Sequence, residues 1–320
     1  MKSKIPDQSR RNFLKNSIVA GTLFPLIHGK SFAIESTQPP DRLKVHLFSK
    51  HLQFLNYRDM AEAAAEIGFD GVDLTVRPEG HVLPERVAED LPKAVEALRR
   101  SELASLMMTT AVDDAEDPAD KKVLQVAAGL GFKYYRMNWF SYPEDKPIPE
   151  TIQQLSKKVK DLSHLNKELK LTGCYQNHAG TGVGSTIWEV WELLKEADKE
   201  YMGLQYDIRH AVVEGGFSWP NGLRLVQSQI KSIALKDFKW EQKNGKWDTL
   251  NTPIGEGMVD FKRYFKLLKQ YNINVPVSLH FEYSLGGAES GGKDISIDKK
   301  EIFKIMKKDL QKIHQLWQQS

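Results

Sequence analysis

Eight short apolar runs, spaced by helix-length amphipathic sequence, constrain this chain more than any other feature. The runs span residues 43–48, 71–76, 103–109, 133–138, 171–176, 203–207, 230–236 and 275–281. Between and after them lie segments with apolar residues at helical spacing, as in Met60, Ala63, Ala64 and Ile67. Those segments predict helices over 57–67, 84–100, 120–130, 152–169, 186–197, 221–229, from 260, and over 302–316. Strict alternation of strand and helix implies a parallel sheet covered by helices. A count of eight predicts closure into a single-domain (β/α)8 barrel spanning 43–320, with no internal sequence repeat.

A barrel of this kind carries its chemistry at the carboxyl ends of the strands. Each run here ends in polar residues. The ends supply Lys50 and His51, Arg77 and His81, Thr109 and Thr110, and Arg136 with Asn138 and Trp139. The later strands supply Gln176, Asn177 and His178, then Asp207, Arg209 and His210, then Lys236 and Asp237, and last His280 and Glu282. Such groups are costly to bury alone, and eight sets on one rim point to a site. The two-residue period of a strand puts Gln176 on one side with His178, and His280 on one side with Glu282. Two connections, 239–258 and 283–297, are unusually long and follow strands, so they belong to the same rim. Asn244-Gly245 predicts a hairpin turn inside the first. Gly286-Gly287 and Gly291-Gly292 in the second allow either flexibility or backbone N–H groups offered to an anion.

The amino terminus is separate. Ser9-Arg10-Arg11-Asn12-Phe13-Leu14-Lys15 resembles a twin-arginine export signal, followed by a short apolar stretch and the small-residue step Ser31-Phe32-Ala33. Residues 1–33 are therefore expected to be a signal peptide and 34–42 a linker, which implies a periplasmic or otherwise exported protein. An uncleaved membrane anchor or an ordinary amphipathic helix is the alternative. The apolar stretch is too short to span a bilayer, so no stable membrane insertion is expected once the signal is removed. The signal also explains the formal charge of +3. Without it, 39 basic residues face 41 acidic ones, and no basic excess remains for nucleic acid. The single cysteine, Cys174, rules out an intramolecular disulfide and sits in an apolar run as a small core residue.

Five stretches together resemble the xylose isomerase-like TIM-barrel superfamily, which includes sugar-phosphate isomerases and epimerases. They are Tyr175-Gln176-Asn177-His178, Asp207-Ile208-Arg209-His210-Ala211, Leu235-Lys236-Asp237, Gly255-Glu256-Gly257-Met258-Val259-Asp260-Phe261 and Val277-Ser278-Leu279-His280-Phe281-Glu282-Tyr283. The resemblance implies a (β/α)8 TIM barrel and a small carbohydrate substrate. It also implies a divalent metal held by Glu, Asp, His and Glu on strands five to eight. Here those positions fall on Gln176, Asp207, Ala234 and His280. Two outcomes stay open. Gln176, Asp207 and His280, with His178, hold one Mn, Zn or Co ion in an altered site. Otherwise Lys236, Arg136 or Arg209 stabilises the oxyanion, with His280 or Glu282 as base.

The expected reaction is isomerisation or epimerisation of a sugar, keto-sugar or sugar derivative by proton removal next to a carbonyl. His280, Glu282, Lys236 and Asp207 are the catalytic candidates, and His178, His210, Arg136, Arg77, His81, Lys50 and Trp139 the substrate-binding ones. Trp219, Trp240 and Trp247 are further candidates for stacking on sugar faces. The alternatives are a non-catalytic carbohydrate-binding barrel and a lyase or hydrolase of oxidised sugars. A glycoside hydrolase needs two placed carboxylates, for which only Asp207, Asp237 and Glu282 are available.

Overall fold

The computed structural model describes residues 42–320; residues 1–33, expected to be an export signal, and nearly all of the expected linker lie outside the described residues. Seven parallel strands come first: β1 (Val45–Phe48), β2 (Gly71–Val76), β3 (Ala104–Thr110), β4 (Tyr134–Arg136), β5 (Thr172–Gln176), β6 (Met202–Asp207) and β7 (Ile230–Leu235). β8 (Asp237–Lys243) and β9 (Lys246–Thr252) form an antiparallel arm, and β10 (Val277–Leu279) closes the barrel between β7 and β1. The strands are buried on both faces, with apolar residues alternating with small or polar ones: Val72, Leu74 and Val76 with Gly71, Asp73 and Thr75 on β2, and Leu204 and Tyr206 with Gly203, Gln205 and Asp207 on β6.

The helices are α1 (Tyr57–Ile67), α2 (Val87–Arg100), α3 (Pro118–Gly129), α4 (Ile148–Leu169), α5 (Ile187–Leu193), α6 (Ile208–Gly215), α7 (Trp219–Val226), α8 (Phe261–Gln270) and α9 (Lys299–Gln318). Local chemistry sets their ends. Asn56 caps α1, and Gly68 ends it in the left-handed region. Thr186 and Glu189 form a capping box on α5.

One expectation is corrected here. The sequence predicts a single helix at 221–229 between the sixth and seventh strands, but the structure has two, α6 and α7. The cause is Asp207: the last residue of β6 is also the cap of α6, its carboxylate accepting from the His210 N–H. Strand and helix therefore abut without a loop, and Arg209 and His210 sit on the first helical turn.

The arm turns at Asn244 (φ 51°) and Gly245 (φ 76°), the two left-handed residues that a tight hairpin needs. Its base is pinned by Asp237, which is buried and accepts from the backbone N–H groups of Phe238, Gly255, Gly257 and Val259. The Lys-Asp step and the Gly-Glu-Gly step are thus one device. Gly257 has no room for a side chain, since a Cβ there would lie 2.2 Å from Asp237 Oδ1 and 2.4 Å from the Phe238 carbonyl oxygen.

Gly257→Ala should therefore lower stability by at least about 2 kcal/mol, read as the shift in a urea unfolding midpoint. An unchanged midpoint would show that the Asp237 pin is not tight.

Candidate active site

At the carboxyl ends of the strands lies a cavity of about 320 Å³. It is lined by Phe48, Lys50, Arg77, Arg136, Trp139, Gln176, His178, Arg209, His210, Lys236, Asn251, His280 and Glu282. A larger groove of about 610 Å³ runs outside the barrel between α1 and α9. Its border of acids from α1 and lysines from α9 is self-neutralising surface, so the smaller cavity at the strand ends is the candidate site.

Asp207 lies beneath that cavity, in contact with its lining residues Gln176 and Lys236, and is fully buried. A buried carboxylate must be compensated. Its Oδ2 accepts from Gln176 Nε2 at 2.8 Å and lies 3.1 Å from Lys236 Nζ, while Oδ1 caps α6. Asn177 locks the ends of β5 and β6 by exchanging two hydrogen bonds with the Asp207 backbone. Lys236 Nζ is also 3.1 Å from His210 Nε2 and 4.0 Å from Glu282 Oε1.

His280 stands on a relay. Asp73, fully buried in the middle of β2, accepts from Thr109 Oγ1 at 3.1 Å and from Ser278 Oγ at 2.7 Å. Ser278 spends its only proton on Asp73, so it accepts from His280 Nε2 at 3.1 Å. That fixes the tautomer: Nε2 carries the proton, and Nδ1 is free, 3.8 Å from Glu282 Oε1. The ring stacks on Phe48 at 4.1 Å. Burial lowers the His280 pKa to about 3, and the Lys236 charge adds to this, so the ring is neutral near pH 7. Burial raises Asp73 to about 6, against the hydrogen bonds from Ser278 and Thr109. Burial also opposes ionisation of Glu282. The ammonium groups of Lys236 and Lys50 outweigh it and hold this carboxyl well below the usual range. Lys50 Nζ lies 3.4 Å from Glu282 Oε2.

The opposite wall is aromatic and cationic. The Arg136 guanidinium lies 4.1 Å from the Trp139 ring centroid and donates to Gln176 Oε1 at 3.0 Å. Burial and the neighbouring Arg77 charge lower Arg136 to about 9. His178 packs on His210 with ring centroids 4.0 Å apart. His210 Nδ1 accepts from the Ala179 N–H and from Arg209. Burial, then the Lys236 charge, lowers both imidazoles, His178 to about 4. Arg209 also donates to Thr249 Oγ1 on the arm at 2.9 Å, so the arm reaches the site.

The structure thus brings together Lys50, Arg77, Arg136, Trp139, Gln176, His178, His210, Lys236, His280 and Glu282, with Asp207 beneath them. His81 stands apart from the lining. Its Nε2 donates to the Leu52 carbonyl and its Nδ1 accepts from Ser49 Oγ, which latches the Arg77 turn to the segment that carries Lys50. Among the other tryptophans, Trp219 is core, and Trp240 and Trp247 are exposed on the arm. Asp237 is consumed by backbone N–H groups, so among the described residues Glu282 is the one carboxylate on the lining, and they do not present the carboxylate pair of a glycoside hydrolase there. In the second long connection, Glu289 accepts the Leu285 and Gly287 N–H groups, so the Gly287 N–H is not free for an anion. Sequence reasoning placed Thr109 at the rim but missed Phe48, Asn251, Ser278 and Asp73. The last had a signal, an acid inside an otherwise apolar strand.

A model of the xylose isomerase-like TIM barrel matches residues 61–304. The chain belongs to the xylose isomerase-like TIM barrel family. A curated relative, an inosose dehydratase from Clostridium tetani (strain Massachusetts / E88), is 32% identical over 142 residues, covering 40% of this chain and 47% of the relative. The match thus spans about half of that relative's length. Among solved structures, a family protein from Mycobacterium smegmatis in complex with magnesium superposes with TM-score 0.64 at 12% identity, over 86% of this chain and 97% of that one. D-allulose 3-epimerase from Methylomonas sp. gives 0.63 at 17% identity, over 87% and 99%. 3-Keto-D-glucoside 4-epimerase from E. coli gives 0.63 at 13% identity, over 85% and 100%. At these identities the superpositions establish the fold.

The donor set here does not suit the divalent metal that the family resemblance implies. Gln176 gives its oxygen to Arg136 and its amide N–H to Asp207. Asp207 is engaged by Lys236 and the α6 terminus, and its neighbour in register on β7 is Ala234. His280 is tied through Nε2 to Ser278. Among the described residues, no three His, Cys, Asp or Glu side chains converge as cation ligands. The Lys236 ammonium instead supplies a positive charge beside Asp207.

The relay predicts a pH signature. Because the Asp73 pKa rises from 3.8 to about 6 on folding, the stability of its protonated form is complete below pH 3.8 and lost as pH rises through about 6. Asp73→Asn should therefore gain up to about 3 kcal/mol at pH 8, the gain shrinking towards pH 4 in denaturant titrations. A gain that does not vary with pH would contradict a charged Asp73.

Proposed function

We propose that this protein removes a proton next to the carbonyl of a sugar or sugar derivative and returns it elsewhere, as an isomerase or epimerase. One observation carries this reading: a neutral imidazole with a fixed free nitrogen, His280 Nδ1, shares a monosaccharide-sized cavity with the Lys236 ammonium. In the forward step the C–H bond breaks, its proton goes to His280 Nδ1, and the electron pair moves onto the carbonyl oxygen. Lys236, with Arg209 nearby, stabilises the resulting enediolate. The imidazolium is stabilised by Glu282 on one side and by the Ser278–Asp73 relay on the other. Returning the proton from His280 to the adjacent carbon gives the isomer; the epimer requires a proton delivered to the opposite face by a second acid or water, with His280 then releasing its own proton to solvent. Asp207 orients Lys236.

A second reading has specific support in the inosose dehydratase relative. The same enediolate can expel a β-hydroxyl, which leaves as water with the proton held on His280. The first half of the chemistry is shared, and the fate of the enediolate separates the two.

The test is solvent deuterium exchange into keto-sugars and keto-polyols, followed by NMR and mass spectrometry. Exchange with an isomeric product supports the first reading, and a product lighter by one water supports the second. His280→Ala should lower exchange by about 10²–10⁴-fold, and Lys236→Met by about 10²–10³-fold, with the fold intact by circular dichroism. The wild-type rate should fall as pH drops through about 6, where Asp73 becomes protonated, and Asp73→Asn should lose that limb. Full exchange by both the His280 and Lys236 variants would refute the assignment, and no exchange at all would favour the carbohydrate-binding barrel.

Export is part of the proposal, supported by the Arg10-Arg11 segment. Replacing both arginines by lysine should retain the protein in the cytoplasm, and unchanged export would remove this part of the reading.

A further inference from the structure

The cavity holds more positive charge than its own carboxylates answer. Five cationic side chains line it: Lys50, Arg77, Arg136, Arg209 and Lys236. Glu282 faces them, and Asp73 and Asp207 lie buried beneath, so about two positive charges stay unmatched even when all three carboxylates are counted. The lysines are the paired members, Lys236 with Asp207 and Lys50 with Glu282. The three arginines make no ion pair with any described carboxylate.

The surplus is concentrated on the wall formed by the ends of β2 and β4. Arg136 is 4% exposed, yet its Nε has no hydrogen-bond partner. A buried guanidinium N–H left unmade is expensive unless a ligand completes it. Arg77 stands close enough for its charge to disfavour the ionised Arg136. Two guanidinium groups that repel each other across a small cavity make a fork for a planar or tetrahedral anion. In the closed strand order β4 stands opposite β10, so Arg136 lies across the barrel from the strand end that carries His280, while Arg77 follows β2, which only β1 separates from β10.

We propose that the substrate is an anionic monosaccharide derivative whose charged group, a carboxylate or a phosphate ester, docks between Arg77 and Arg136. This deepens the reading of the site as one for α-proton removal and rests on it for the other end of the substrate. The anion anchors one end against Trp139, while the carbon to be deprotonated lies under His280. The anchor also serves the chemistry: an anion in the cavity offsets the cations that hold Glu282 and His280 at low basicity.

The test is equilibrium binding, which does not depend on turnover. Isothermal titration calorimetry would compare D-glucuronate, D-glucose 6-phosphate and D-glucose on the full chain at low and high salt. At least one anion should bind tenfold or more tightly than glucose, and that advantage should shrink with salt. A preference for glucuronate identifies the charged group as a carboxylate, and a preference for the phosphate identifies it as a phosphate ester. Arg77→Gln should erase the advantage while Arg77→Lys keeps part of it. Arg77 is only half-buried, so these variants should fold, and melting curves check that. Glucose binding as tightly as both anions, no binding of either anion, or equal weakening of all three ligands by Arg77→Gln would each overturn the proposal. Failure of proton exchange with anion selectivity intact would overturn the catalytic reading alone.

Discussion

A carboxylate with no access to water sits at the mouth of this barrel, and much of the site follows from how it is compensated. Asp207 is satisfied by an ammonium, an amide and a helix terminus. The lysine is thereby fixed on the lining of the cavity, the amide holds Arg136 by its other end, and the helix starts with Arg209 and His210 on its first turn. One buried charge thus orients groups from four successive strands. Breaking such a set by removing one member is far more damaging than its net contribution suggests, because the remaining charges stay buried.

Around that carboxylate, burial keeps the imidazoles neutral and surplus cations keep Glu282 ionised. These two effects suit a site that must accept a proton and stabilise an oxyanion within a few ångströms. Neutral His280 can take a proton, and the groups that would stabilise the resulting charge, Glu282 and the Asp73 relay, are already in place. Asp73 is the strained member, since its ionised form is disfavoured by burial, and the fold gives up stability near neutral pH to retain it.

The strand ends could be read from sequence because a polar group after an apolar run is conspicuous, and the hairpin arm because Asn-Gly has one dominant use. The first helix after β6 was not legible. Ile208–Gly215 follows a strand directly, and its cap doubles as the last strand residue, so no loop marks the boundary. His81 has the same look in sequence as His178, yet one is a latch and the other lines the cavity. Which way a side chain turns after a strand depends on neighbours distant in the chain, here Leu52 and Ser49.

The sequence by itself determined the barrel, because alternating periodicities leave few other ways to bury these faces. It also determined which residue types stand at the rim, including the loss of two carboxylates and a histidine from the metal positions that the family resemblance implies. Only the tertiary structure decided how those residues are spent. Asp237 went to the backbone of a loop, Asp73 to a relay behind His280, and Lys236 to the side of Asp207. The physical reason is that compensation of a buried charge is a property of distances between strands. Those distances exist only once β1 has closed against β10.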